Sequence, residues 1–195
     1  NRVLKKLLIK NNYTIFEGNQ NDVLNRYYEC AKKFSAKNIL RITGDCPLID
    51  PILVDKIITF YRKNKFDYVS NIQTRTFPDG MDTEIFSFKI LERANRLTIS
   101  QSDKEHVTNY FLRTDKIKKG NYSQKKDYSN MRITLDTQYD FKLIRKIFNN
   151  FKNFDFALED IIEFYIENES MFEKYKKLSD NINQRKKNKG QIMWN

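Results

Sequence analysis

Cysteine, histidine, tryptophan and proline are scarce in this chain: two, one, one and three among 195 residues. Cys30 and Cys46 carry no metal-site spacing, and so few thiols fit a reduced, cytoplasmic setting better than a disulfide framework. A thiol nucleophile needs a base. The sole histidine, His106, lies sixty residues beyond Cys46, so Cys46 reads as a small buried filler. No apolar run approaches the roughly 20 residues that cross a membrane, which argues against a membrane partner. Internal repeats and low-complexity linkers are missing as well.

What is present suits a folded enzyme-sized domain. Hydrophobic residues make up 39%, with 15 Phe and 11 Tyr, enough to build a core at this length. We expect one domain over residues 1–180 and a loose basic tail over 181–195, with Trp194 its apolar anchor. The chain opens on Asn1 rather than Met, as a processed chain or a fragment does. Net charge is +11, but the excess sits in three separate stretches, 1–10, 113–126 and 173–189. The remainder is net acidic. No RNA-binding aromatic motif or zinc knuckle accompanies the cations, so they read as solvated surface and argue against nucleic acid as a partner.

Hydrophobic spacing alternates strand and helix. Val3–Lys10 reads as the end of a helix and Tyr13–Phe16 as a short strand. Asp22 caps a helix running to about Phe34. Asn38–Ile42 reads as a buried strand, from which Gly44 allows a tight exit that presents Asp45 at the strand tip. Pro47 and Pro51 bracket the next helix, with Asp50 as N-cap and Pro51 in its first position. Helix Ile52–Lys63 and strand Asp67–Asn71 follow. Such alternation predicts an α/β fold, a mainly parallel sheet flanked by helices. Beyond it come strand Thr83–Phe88, helices near Lys89–Leu97 and Asp103–Thr114, a basic excursion Lys116–Tyr128, and strand Met131–Asp136. Helices over about Gln138–Asn150, Ala157–Asn168 and Met171–Leu178 complete the pattern. Open α/β sheets bind ligands at the carboxyl ends of their strands, where both Asp45 and Asp136 fall.

Five segments occur in an order that resembles one family: Asp22–Tyr28 (DVLNRYY), Arg41–Pro51 (RITGDCPLIDP), Phe77–Phe86 (FPDGMDTEIF), Glu105–Thr108 (EHVT) and Met131–Asp140 (MRITLDTQYD). They resemble the spore-coat-polysaccharide-type cytidylyltransferases, relatives of acylneuraminate cytidylyltransferases and CMP-Kdo synthetase. The family's opening strand and Gly/Arg-rich triphosphate loop have no counterpart here.

The resemblance implies a Rossmann-like nucleotidyltransferase fold lacking its N-terminal strand or strands. It further implies transfer of CMP from CTP to an acidic or amino sugar with release of pyrophosphate, for surface polysaccharide, in a homodimer whose residues 73–130 form an acceptor and dimerisation excursion. Mg²⁺ would be held by Asp45 and Asp136. Asp45 is otherwise a loop cap, and Asp140 stands ready as helix cap or substitute for Asp136. Arg41 is placed to pair with a phosphate or with a carboxylate. The nucleotide side falls on Asn21, Asp22, Arg26 and Gly44, although Asp22 is equally an N-cap. The sugar side falls on Ser70, Asn71, Asp79, Gly80, Asp82, Glu84 and His106; for the four around Asp79 the plain alternative is a Pro-Asp-Gly turn into a strand, and for His106 a structural helical histidine. The rival readings are a non-catalytic nucleotidyltransferase-like scaffold subunit, motivated by the missing loop, and a nucleic-acid binder, motivated by charge alone.

Overall fold

The helices that follow Asp22 and Asp50 start where the sequence places them. In the computed structural model, which describes residues 2–151 and 155–188, α1 spans Arg2–Lys10 and α2 spans Val23–Lys33. Asp22 caps α2, accepting from the Asn25 N–H at 2.9 Å. Strand β1 is Asn38–Arg41, and α3 is Pro51–Asn64 with Pro51 in its first turn. Then follow β2 (Tyr68–Ser70), β3 (Glu84–Ser87), α4 (Phe88–Leu97), α5 (Gln101–His106), α6 (Asn109–Arg113) and β4 (Lys119–Asn121). Helices α7 (Gln138–Asn150), α8 (Leu158–Glu167) and α9 (Glu169–Asn188) close the described chain. The fold is mixed α/β, with a four-stranded sheet in the order β1-β3-β2-β4 flanked by helices. No helix among the described residues is long and apolar enough to cross a membrane.

Two compact units make up the chain: Asn1–Ile39 with Phe86–Lys118, and Leu40–Ile85 with Lys119–Asn195. In the first, α2 packs on α4 and α5, burying Leu24, Ala31, Leu91 and Ala94. Phe86 and Phe111 meet with ring centroids 4.9 Å apart. Helix α1 buries none of its residues.

The second unit holds the larger core. Leu53, Ile57 and Tyr61 of α3, Leu143, Ile144 and Ile147 of α7 and Leu158 and Ile161 of α8 close over Val69, Met81, Met131 and Ile133. Strand β2 runs parallel to β4, with Tyr68 opposite Lys119 and Ser70 opposite Asn121. The start of α3 is tied to the start of α8 by one buried carboxylate. Asp50 is 4% exposed. Its Oδ1 accepts from the Leu53 N–H at 3.0 Å and from Ile52, while Oδ2 accepts from the Leu158 N–H at 2.7 Å. Three otherwise orphaned helix-start donors are satisfied at once.

Several expectations need correcting. Tyr13–Phe16 carries no strand assignment; a strand exists only where a neighbour completes its ladder. Strand β1 is alternately exposed and half-buried rather than buried, as suits its place at the end of the strand order. The helix expected over Asp103–Thr114 breaks at Val107, whose φ of 52° and ψ of −55° make a γ-turn closed by the Thr108 N–H donating to the His106 carbonyl. Arg113 braces the break with a two-pronged pair to buried Asp103. Strand β4 was hidden inside the basic excursion, since Lys-Gly-Asn has no apolar alternation. Gly120 is needed there because a Cβ would lie 2.7 Å from the Phe66 ring. Met131–Asp136 is an extended segment with a single parallel bridge, Asp79 to Arg132, rather than a full strand. Finally, α9 carries residues 181–188 as helix where a loose tail was expected; Trp194 lies outside the described residues.

Replacing Asp50 with Ala removes both helix starts' acceptor and is expected to cost about 2 kcal/mol or more. Urea unfolding measures this; a loss under about 0.5 kcal/mol, typical of a surface change, would show that water replaces the carboxylate.

Candidate active site

The second unit brings Asp45 and Asp136 together through the main chain. Gly44 and Asp45 form a turn after β1, and the Asp45 carbonyl accepts from the Leu135 N–H at 2.8 Å. Residues 91 positions apart in sequence thus lie on adjoining backbone segments. The same extended segment pairs with the Pro78-Asp79-Gly80 turn: Asp79 N–H donates to the Met131 carbonyl at 2.9 Å, and Ile133 N–H to the Asp79 carbonyl at 2.8 Å. Gly80 has φ +112°, and a Cβ there would stand 2.9 Å from the Ile133 carbonyl carbon. Only glycine fits that turn against that segment.

Two arginines that the sequence reading passed over thread the acidic residues together. Arg75 grips Asp82 with both Nη atoms and stands 3.5 Å from Asp79. Arg132 donates to Asp79 at 3.1 Å, pairs with Asp136, and lies 3.6 Å from Asp140. Strand-like alternation in Met131–Asp136 was the available signal: it sets Arg132, Thr134 and Asp136 on one face. Four carboxylates, Asp79, Asp82, Asp136 and Asp140, thus face two guanidiniums. Burial pushes the Asp79 carboxyl above its ordinary range, with the charge of Asp82 adding to the effect and Arg75 and Arg132 opposing it. Burial works against the Arg132 charge, yet Asp136, Asp140 and Asp79 outweigh it and hold that guanidinium above its usual pKa.

Asp140 is a fixed structural acceptor. It is buried, and its Oδ2 receives the N–H groups of Asp136 (3.0 Å) and Thr137 (2.7 Å) and the Ser179 hydroxyl (3.0 Å). Asp136 is more open, bonded on one oxygen by Arg132 and by the Thr134 hydroxyl at 3.3 Å. Beside it an open cleft of about 550 Å³ runs along Leu135, Thr137, Gln138, Phe141 and Ile182. Gly44 is exposed, and a Cβ there would meet nothing within 4 Å. The turn itself therefore does not require glycine.

Other expected site residues are engaged internally. Glu84 is 2% exposed; Arg41 pairs with one oxygen and the Tyr68 hydroxyl donates to the other at 2.6 Å. So Arg41 pairs with a carboxylate, and Glu84 has no face toward a sugar. Burial, reinforced by the Glu84 charge, drives the Tyr68 hydroxyl pKa upward. Asn71 is buried too: its amide donates to the Met81 carbonyl at 2.7 Å and accepts from Thr83 N–H at 2.9 Å. Ser70 is fully buried. Both shape the loop after β2 rather than lining open space. The open space near that strand end is a cavity of about 430 Å³ walled by Phe77, Tyr122, Gln124 and Tyr128 and by the first turns of α3 and α8. Its tyrosines went unnoticed inside the basic excursion.

Asn21, Asp22, Arg26 and His106 belong to the first unit. The Asn21 carbonyl accepts from Gln101 at 2.8 Å, Asp22 caps α2 and lies 3.7 Å from Lys104, and Arg26 reaches the Asn19 carbonyl at 3.3 Å. His106 ends α5, half-buried, beside the Val107 turn.

Comparison with known proteins decides the family. The cytidylyltransferase family model matches residues 2–189. The chain belongs to the cytidylyltransferase family. It is 34% identical over 174 residues to an uncharacterized protein of Methanocaldococcus jannaschii, spanning 88% of this chain and 69% of that protein. It is 25% identical over 150 residues to the spore coat polysaccharide biosynthesis protein SpsF of Bacillus subtilis, spanning 75% of this chain and 61% of SpsF. A solved cytidylyltransferase from Leptospira borgpetersenii serovar Hardjo-bovis superimposes with TM-score 0.83 at 32% identity, covering 88% of this chain and 73% of that one. The α/β fold expected from the sequence is the fold of this cytidylyltransferase.

Cys46 is no nucleophile in this family member. It is 4% exposed, and burial pushes its thiol up to about 11, two units above the ordinary 9.0 that the same thiol would have in water. At pH 8 its thiolate fraction is then roughly 100-fold below that of an exposed cysteine. Folded protein treated with iodoacetamide at pH 8 should show Cys46 unmodified by mass spectrometry; rapid labelling would mean that the turn opens.

Proposed function

We propose that this cytidylyltransferase transfers CMP from CTP to the hydroxyl of an acidic or amino sugar, for surface polysaccharide, with Mg²⁺ as cofactor. A sugar oxygen attacks the α-phosphorus, the bond from that phosphorus to the β-phosphate oxygen breaks, pyrophosphate departs and one proton is released. The observation that carries the reading is the Leu135-to-Asp45 main-chain bond, which sets Asp45 on a segment neighbouring that of Asp136, and Asp136 lines an open cleft. Family membership and the spore coat polysaccharide relative support the substrate classes.

The donor set fits Mg²⁺. Asp45 and Asp136 carry hard oxygen donors, and among the described residues no group of three or more His, Cys, Asp or Glu side chains is arranged to hold a metal ion. A site with one or two carboxylates that leaves the remaining positions to water and phosphate oxygens is the usual Mg²⁺ arrangement. The excess of carboxylates over guanidiniums favours a divalent cation further. When bound, the ion would neutralise charge developing on the phosphates. Arg132 holds Asp136 in place, and the Gly44 turn offers main chain that a ligand can approach without a Cβ intervening. A homodimer in the cytoplasm belongs to the same reading.

Isothermal titration of CTP, with and without Mg²⁺, tests it. Mg²⁺ should tighten CTP binding at least about tenfold, and Asp45→Ala or Asp136→Asn should erase that increment while leaving the melting temperature within a few degrees. CTP binding that is indifferent to Mg²⁺ and to both substitutions overturns the metal assignment.

A further inference from the structure

We propose that Arg132 is a positioning residue: a tethered counter-ion that holds Asp136 in place and yields it to a divalent cation. The inference rests on the reading of Asp136 as a metal ligand.

Three features of Arg132 carry it. Its guanidinium has three acceptors around it: Asp79 at 3.1 Å, Asp136 in direct contact, and Asp140 at 3.6 Å. Giving up Asp136 therefore leaves the charge paired on two sides, so release does not strand a buried cation. The three carboxylates also differ in how firmly they are fixed. Asp140 is locked by two main-chain N–H groups and the Ser179 hydroxyl, and Asp79 lies on a turn bonded to Met131 and Ile133. Asp136 has only the Thr134 hydroxyl besides Arg132, so it is the one free to exchange partners. Lastly, the buried Arg132 Nε has no hydrogen-bond partner, so the guanidinium is not locked by its full set of donors.

Arg75 is the internal contrast. It closes a two-pronged pair on both oxygens of Asp82 and contacts neither Asp45 nor Asp136. Both arginines place one positive charge in the same acidic cluster, but only Arg132 occupies a candidate ligand. A cation arriving at Asp136 competes with Arg132 directly and with Arg75 only through space.

The test compares Arg132→Gln with Arg75→Gln, titrating Mn²⁺ alone and following the free aquo ion by electron paramagnetic resonance. Arg132→Gln should bind Mn²⁺ about tenfold more tightly than the natural chain, Arg75→Gln less than about threefold. The gain should vanish in the Arg132→Gln, Asp136→Asn double variant. In the natural chain, ¹⁵N spectra of the guanidinium groups should show the Arg132 signal shifting as Mg²⁺ is added while the Arg75 signal stays. This second measurement decides the matter if Arg132→Gln does not fold. Equal gains in the two single variants, or an Arg132 signal unmoved while Mg²⁺ binds, overturns the inference and leaves the metal site standing. A gain that survives Asp136→Asn overturns the reading of Asp136 as ligand and the inference with it.

Discussion

The short extended segment Met131–Leu135 is the rail on which the acidic residues are mounted. Its main chain exchanges hydrogen bonds with Asp79 on one part and with Asp45 on another. Its alternation sends Met131 and Ile133 into the core, each 1% exposed, and Arg132 to the opposite face. One face anchors the segment by burial and the other carries charge. A register slip of one residue would exchange the two faces, placing Arg132 in the core and Met131 among the carboxylates. Gly80 makes the close approach possible, because no side chain fits between that turn and the Ile133 carbonyl.

The two ionic clusters of this unit answer different demands. Arg41, Glu84 and Tyr68 form a closed set in which each oxygen of a buried carboxylate has a donor. That set is locally neutral and explains itself as structure: a buried charge must be paired. The Asp79, Asp82, Asp136 and Asp140 cluster is different, since four carboxylates share two arginines. Half-buried ion pairs add little stability even when balanced, and an unbalanced cluster repels itself. The proposed cation would supply the compensation that the fold itself does not.

Much of this was legible in sequence because the signals were local. Asp22 and Asp50 read as N-caps and cap the helices they precede; Pro51 stands in the first turn of α3. Asp45 and the Asp136 segment were expected to meet because both read as strand ends; they do meet, although the second is an extended segment with a single bridge rather than a strand. What stayed hidden depended on partners distant in sequence. Strand β4 exists because it lies beside β2, not because Lys-Gly-Asn favours extension. Val107 breaks a helix that its neighbours' spacing supports, with Arg113 and Asp103 bracing the turn across it. Asn71 and Glu84 looked like ligands because polar residues at strand ends often are; their fixed internal partners, Met81, Thr83, Arg41 and Tyr68, appear only in three dimensions. Arg132 was overlooked for the opposite reason, as an ordinary charged residue between apolar neighbours.

An acidic cluster is an odd cradle for a nucleoside triphosphate, which is itself strongly anionic. The arginines nearest the carboxylates are already engaged: Arg41 on Glu84, Arg75 on Asp82, Arg132 on Asp136. Attraction on the proposed reading must then come from a divalent cation shared between carboxylates and phosphates, with main-chain dipoles in support. The Gly44 turn fits that requirement. Its glycine is not demanded by a positive φ or by a crowded neighbour, which leaves its bare main chain open to approach from outside. On that reading a triphosphate would be attracted only once a cation is present, which would order binding by charge: without its metal it would meet repulsion, and as the metal complex it would meet ligands.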